Sequence, residues 1–194
     1  MSRIVSFRQM QDGTREDYLL LDESERRYAA GLGDRVLQAL RNLDRSIEGY
    51  PVSRLQHSLQ AATRALRDAA DEELVVAALL HDIGDELAPY NHSELAAAIL
   101  RPYVRPEVTW IVAQHGLFQN YYYVHYFGGD RNARERLRDH PWYAACVHFC
   151  AAWDQSSFDP DYKSETLDFF EPMLRRIFAR VPHDPRYVEE HPVG

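Results

Sequence analysis

Cysteine is scarce in this chain, with two in 194 residues, Cys146 and Cys150. Four residues apart on a helix they share one face, where reduced cysteine packs as a small hydrophobe. A thiolate zinc site needs more sulfur or histidine at closer spacing, and His148, between them, points to another side of a helix. Positive charge is also short. Lys and Arg total 22 against 30 Asp and Glu, a formal net charge of −8. That balance argues against a nucleic-acid or acidic-membrane surface, both of which demand a basic footprint, and leaves room only for a local basic pocket. No apolar run approaches membrane-spanning length and no charged-then-apolar leader opens the chain, so the cytoplasm is the expected compartment. Strand-like alternation never lasts more than a few residues, and repeats and low-complexity tracts are missing.

What remains is helical periodicity in a composition ordinary for a globular protein, 45% apolar and 27% charged. The pattern predicts an N-terminal arm at 1–22, one helical domain at 23–180 and an extended tail at 181–194. A first helix spans 24–44, weakened by Gly31 and Gly33. Ser53 caps a helix to about Arg67, and Asp71 caps the next, Glu72 to His81, which Gly84 stops. Asn91 and Glu94 form a capping box that starts a helix to about Tyr103. Pro106 opens a segment closed by Gly116 just past His115. An irregular aromatic excursion follows over 117–140, then a helix over 141–153, a mixed stretch at 155–166, and a last helix at about 165–180, kinked or split by Pro172. The fold class is all-α, a single-domain bundle.

Six residues stand out: His57, His81, Asp82, His92, His115 and Asp154. His81 and Asp82 end the apolar segment Val75–Leu80, and Asp154 ends the mostly apolar run Ala144–Trp153. Ionisable groups in such places are costly unless paired or coordinated. With His81 and Asp82 taken as one group, each group comes from a different helix or helix end, as in metal sites built inside bundles. Imidazole and carboxylate suit iron, manganese and zinc. Six ligands exceed what one metal needs once open positions are counted, so the set reads as a dinuclear site in the core, with Asp82 bridging through its two oxygens. By contrast His125, His140, His148, His183 and His191 stand alone and read as ordinary hydrogen-bonded histidines.

The order His…His-Asp…His…His…Asp, with Ala77-Ala78-Leu79-Leu80-His81-Asp82-Ile83-Gly84, resembles the HD-domain superfamily, all-helical and mostly metal-dependent phosphohydrolases. Val52-Ser53-Arg54-Leu55-Gln56-His57-Ser58-Leu59-Gln60-Ala61-Ala62 resembles a smaller branch within it, the mixed-valent di-iron oxygenases that cleave hydroxylated aminoalkylphosphonates, with myo-inositol oxygenase as a more distant cousin. The resemblance covers roughly residues 45–160. It implies that the six residues hold two irons, Fe(II)/Fe(III), with Asp82 bridging. The substrate hydroxyl would bind at one iron and dioxygen at the other, and a C–P or C–C bond would break. Hard carboxylate oxygens suit Fe(III), and imidazole tolerates both oxidation states.

Two departures shape the expected substrate. Many phosphohydrolases carry a lysine where this chain has Asp85, which would repel a phosphate. The phosphonate oxygenases carry cations at the positions of Gln119, Ala151 and Phe158, all neutral here, which argues against a phosphonate. The expected activity is therefore an oxygenase using O2 on a small hydroxylated organic molecule. The alternative is a phosphohydrolase acting on a nucleotide or phosphate ester with manganese, magnesium or zinc, and a third reading is a non-catalytic metal-binding or sensing protein. Besides bridging Asp82, Gln60 is a candidate second layer or substrate donor, and Tyr50 a candidate cover over the metals, each placed among the catalytic residues. Gln119, Tyr122, His125 and Arg131 are the candidate substrate contacts. The expected partners are a small molecule and O2, without nucleic acid or membrane, in a monomer or small homo-oligomer.

Overall fold

The computed structural model describes residues 4–182, and within them every regular element is helical. After a 3-10 turn at Met10–Asp12 come α1 (Arg15–Ala30), α2 (Leu32–Asn42), α3 (Arg54–Arg67), α4 (Glu72–Leu80), α5 (His92–Leu100), α6 (Pro106–Tyr123), α7 (Tyr143–His148) and α8 (Leu167–Phe178). α7 runs on into a π-helical turn, Phe149–Asp154.

The bundle is organised around α4. Val75 through Leu80 are all at most 1% exposed, and a helix apolar on every side has to be buried on every side. α3, α6, α8 and the π-turn pack around it. Phe118, Phe149, Phe170, Leu37, Leu40 and Ile177 fill the space between them. The helix starts are chemically specified. Ser53 and Gln56 form a reciprocal capping box on α3, the Asp71 carboxylate accepts the amides of Glu73 and Leu74, Thr166 caps α8, and Pro106 sits in the first turn of α6.

The structure corrects the sequence-based expectations at several places. Residues 15–22, expected in an extended arm, are the first turns of α1, because the Thr14 and Asp17 side chains make a capping box there. The single helix expected over 24–44 is two, α1 and α2, which meet at Gly31. Asn91 makes no side-chain cap on α5, which ends at Leu100. Pro172 neither stops nor splits α8, whose Phe170, Leu174, Ile177 and Phe178 are held in the core on either side of it. Of the expected tail only Val181 and Pro182 lie within the described residues; His183 and His191 fall outside them.

Gly116 does not end its helix, and α6 continues to Tyr123. A Cβ on Gly116 would sit 2.8 Å from Ser93 Oγ. The glycine is there for the close approach of α5 to α6. Gly84 has a related role, since a Cβ on it would lie 2.6 Å from the carbonyl oxygen of His92 and 2.8 Å from its Cα. Both glycines draw the start of α5, and His92 with it, against the neighbouring elements.

Candidate metal centre

Four elements deliver five of the six residues to one point. His57 is on α3, His81 and Asp82 follow the last turn of α4, His92 is the first residue of α5, and His115 is midway along α6. The sixth, Asp154, closes the π-turn, in which Gln155 N donates to Cys150 O at 3.0 Å across the wider five-residue repeat. All but His92 are at most 2% exposed.

Asp82 stands at the centre. Its Oδ2 lies 3.1 Å from both His57 Nε2 and His81 Nε2. Its Oδ1 lies 3.4 Å from both His92 Nε2 and His115 Nε2. Asp154 Oδ1 joins the first pair, 3.3 Å from His57 and 3.5 Å from His81. The six residues thus fall into two groups sharing one carboxylate.

The imidazoles are oriented from behind. His57 Nδ1 faces Ser157 O at 3.0 Å, His81 Nδ1 faces Ala78 O at 2.8 Å, and His115 Nδ1 faces Val112 O at 2.7 Å. A carbonyl can only accept, so each Nδ1 donates and each Nε2 lone pair points inward when the ring is neutral. Inward-facing pairs then lie 3.0 Å apart for His57 and His81, and 3.3 Å for His92 and His115. Cations between those nitrogens, metal ions or protons, relieve the repulsion of the facing lone pairs. Asp154 Oδ2, buried without a hydrogen-bond partner, points to the same need.

The electrostatics agree. Burial favours neutral imidazole, but Asp82 and Asp154 outweigh it and raise His81 well above its ordinary value; burial opposed by the same two carboxylates raises His57 too. Burial likewise works to raise Asp82, yet His81 and Arg54 hold it well below the usual carboxylate range. Asp154 is held below that range by His81 and His57, against its burial. Protons therefore compete with metal for this site. The donor set of nitrogens and carboxylate oxygens, on opposite sides of a shared bridge, could hold two metal ions.

Arg54 was not foreseen from the sequence. Only 8% exposed, it hydrogen bonds Asp82 through Nη2 and Asp85 through Nε, the latter at 2.7 Å. Its position three residues before His57 puts both on one face of α3, a signal available in the sequence. Asp85, expected only to repel phosphate, is the partner of Arg54 and also faces His92 Nδ1 at 3.7 Å. Asp82, Asp85 and His92 make a third grouping with metal-binding spacing.

A cavity of about 240 Å³ opens onto these residues, walled by Arg54, Gln119, Tyr123, Tyr50, Phe158 and Pro89. Phe158 stacks on His57 at 4.4 Å, and Tyr50 stacks on Phe158 at 5.2 Å. The continuation of α6 redistributes the aromatic run behind His115. His115, Gln119 and Tyr123, spaced by four, share the face toward the cavity. Tyr122, His125 and Arg131 do not line it. His125 stacks beside Tyr126, and Arg131 lies on the ring of Tyr121.

Gln60 lies behind His57 and does not line the cavity, so of its two expected roles the substrate contact is the one the structure does not place. Its amide donates to Asp159 O at 2.7 Å and accepts from Asp159 N at 3.3 Å, so both ends face the 155–165 loop and not the cavity. Arg64 and Arg67 donate to Ser156 O and Lys163 O, and Thr63 accepts from Glu165 N. α3 therefore grips the segment that presents Ser157 O and Phe158 to His57, a wall the sequence left undefined. Cys146 and Cys150 are buried thiols facing Ile111 O and His115 O, consistent with core packing. His148 pairs with Asp68 at 2.6 Å and His140 stacks on Trp110, both outside the centre.

The family model described as HD domain matches residues 54–148, which include every member of the set except Asp154. The chain is also similar to a [1-hydroxy-2-(trimethylamino)ethyl]phosphonate dioxygenase (glycine-betaine-forming) from Leisingera caerulea, 33% identical over 89 residues. The match covers 40% of this chain and 45% of that protein, so the chain spans less than half the length of its relative.

Proposed function

From the premise that this chain carries an HD domain over residues 54–148, we propose that it is a di-iron oxygenase that uses O2 to oxidise or cleave a small hydroxylated organic molecule. The observation that carries the reading is the bridge: one carboxylate, Asp82, with two imidazoles at 3.1 Å from one oxygen and two at 3.4 Å from the other. The similar dioxygenase, whose name specifies a substrate with a 1-hydroxy group, supports the reaction class. Iron bound in the two groups would supply redox equivalents and open positions for the substrate hydroxyl and dioxygen.

The surrounding residues account for binding and containment. The cavity of about 240 Å³ over the centre has room for a small organic substrate. Tyr50, Phe158 and Tyr123 form its apolar side. Gln119, on the face shared with His115, offers an amide to a polar substituent. Arg54 supplies positive charge, already matched by Asp82 and Asp85.

Arg54 is also what favours the second reading, hydrolysis of a small phosphate ester, since it is a cation in the cavity wall that could face a phosphate. The two are separated by loading the full chain with Fe(II) and, in parallel, with Mn(II), then screening hydroxylated acids and amines and phosphate esters. Substrate-dependent oxygen consumption by the iron form supports the oxygenase. Phosphate release without oxygen uptake would overturn it in favour of hydrolysis.

A further inference from the structure

We propose that Arg131 and Arg134 form a second binding site, for a small oxyanion, separate from the metal cavity. After α6 the chain turns at Val124–Phe127 and returns to a 3-10 helix at Ala133–Leu137. This return lays two guanidinium groups on one ring. The Cζ of Arg134 lies 3.8 Å from the Tyr121 centroid and that of Arg131 lies 4.3 Å from it. Arg134 is only 8% exposed, and Arg131 is half-buried.

Two like charges sharing a ring repel, and the aromatic face offsets only part of that. Nearby acids do not complete the balance. Among the described residues, the carboxylate paired with either arginine is that of Glu135, 3.8 Å from Arg134 Nε and beyond hydrogen-bond reach. Glu135 is itself engaged by Arg138 and by the Tyr143 hydroxyl. Asp130, beside Arg131 in sequence, accepts the amide of Asn132. Arg134 Nε and Nη1 and Arg131 Nε are buried with no hydrogen-bond partner, and the Tyr122 side chain that Arg134 does engage brings no negative charge.

Guanidinium nitrogens only donate, so their missing partner is an acceptor. Water would satisfy the N–H groups but leave two positive charges unbalanced. A phosphate or carboxylate group meets both needs and matches the planar fork. Neither arginine lines the cavity over the metal centre. An anion held here would tie the 128–137 return to α6, the helix that carries His115, Gln119 and Tyr123.

The test is a titration of the full chain with inorganic phosphate at low ionic strength, followed by thermal unfolding, with the protein metal-loaded and again after EDTA treatment. A saturable rise in Tm should appear in both states, because the site does not use the metals. Arg131→Gln and Arg134→Met should weaken phosphate binding at least tenfold, with partial recovery in Arg134→Lys. In anion-free buffer Arg134→Met should melt no lower than wild type, because it removes an unbalanced buried charge. The proposal is overturned if wild type shows no saturable shift, if the shift survives in both variants, or if Arg134→Met melts several degrees lower without phosphate. Should Arg134→Met not fold, Arg131→Gln, on a half-buried turn, decides the matter by the same loss or survival of the phosphate shift.

Discussion

Removing Arg54 should destabilise the protein strongly, and metal should relieve part of the damage. Arg54 is 8% exposed, and its two partners, Asp82 and Asp85, are 2% and 7% exposed. Substituting Arg54→Ala leaves two buried carboxylates without their guanidinium, and breaking a buried ion pair from one side costs about 3–5 kcal/mol. Against a total stability of about 5–15 kcal/mol, that is a large fraction. Asp82 also faces four imidazoles, so a bound metal pair would neutralise it and leave only Asp85 exposed to the loss. The cost in metal-loaded protein should therefore be smaller by at least about 1 kcal/mol. Urea unfolding followed by far-UV circular dichroism, with and without EDTA, measures both values. The double substitution Arg54→Met/Asp85→Leu should cost less than Arg54→Ala, because no unpaired charge remains at Asp85. A single-substitution cost below about 1 kcal/mol in metal-free protein would refute the reasoning, because a broken buried pair should cost several times that.

Gly84→Ala should impair metal loading by forcing back the His92 backbone, 2.6 Å from the new Cβ, and should lower stability by about 1–3 kcal/mol; metal counting should show the loss, and full loading would contradict it. His81 and His57 are raised above the ordinary imidazole value, so their charged forms stabilise the metal-free fold. Through these two groups, that contribution is complete below about pH 6.5 and fades as pH rises through their folded values. Metal affinity should run the opposite way, rising over the same interval as protons leave the ligands. Melting curves and metal titrations across that interval check both signs, and a pH-independent metal affinity would contradict them. Tyr123→Ala should raise KM once a substrate is identified, whereas Tyr122→Ala, outside the cavity wall, should change it much less; equal effects would contradict the assigned face of α6.

His81, Asp82 and Asp154 stood out in the sequence because they end apolar stretches, and the order of the four histidines around the His81-Asp82 pair carries a family resemblance. The helix starts at Ser53, Asp71 and Pro106 were legible for similar local reasons. Gly116 misled because a glycine placed for the approach of another element looks, in sequence, like a glycine placed to end a helix; Gly84 follows the end of α4 and also serves such an approach. Reading Gly116 as a stop in turn assigned Tyr122 to the cavity, when four-residue spacing from His115 selects Gln119 and Tyr123. Gln60 and the 155–165 loop are nearly a hundred residues apart in the chain, and no local pattern announces their pairing. Arg54 was within reach of a face-by-face reading of α3, since it lies on the His57 side of a capped helix.

A dinuclear centre with Asp82 between its ions makes a direct prediction about metal content. The most direct test is to count iron in wild type and Asp82→Ala, reconstituted anaerobically, and to record low-temperature EPR spectra after mild reduction with ascorbate. Wild type should hold two irons per chain and give a mixed-valent signal. Asp82→Ala should lose the signal and stoichiometric metal while retaining its helical content. Two tightly held irons in Asp82→Ala, or a single metal per wild-type chain, would contradict the bridged centre.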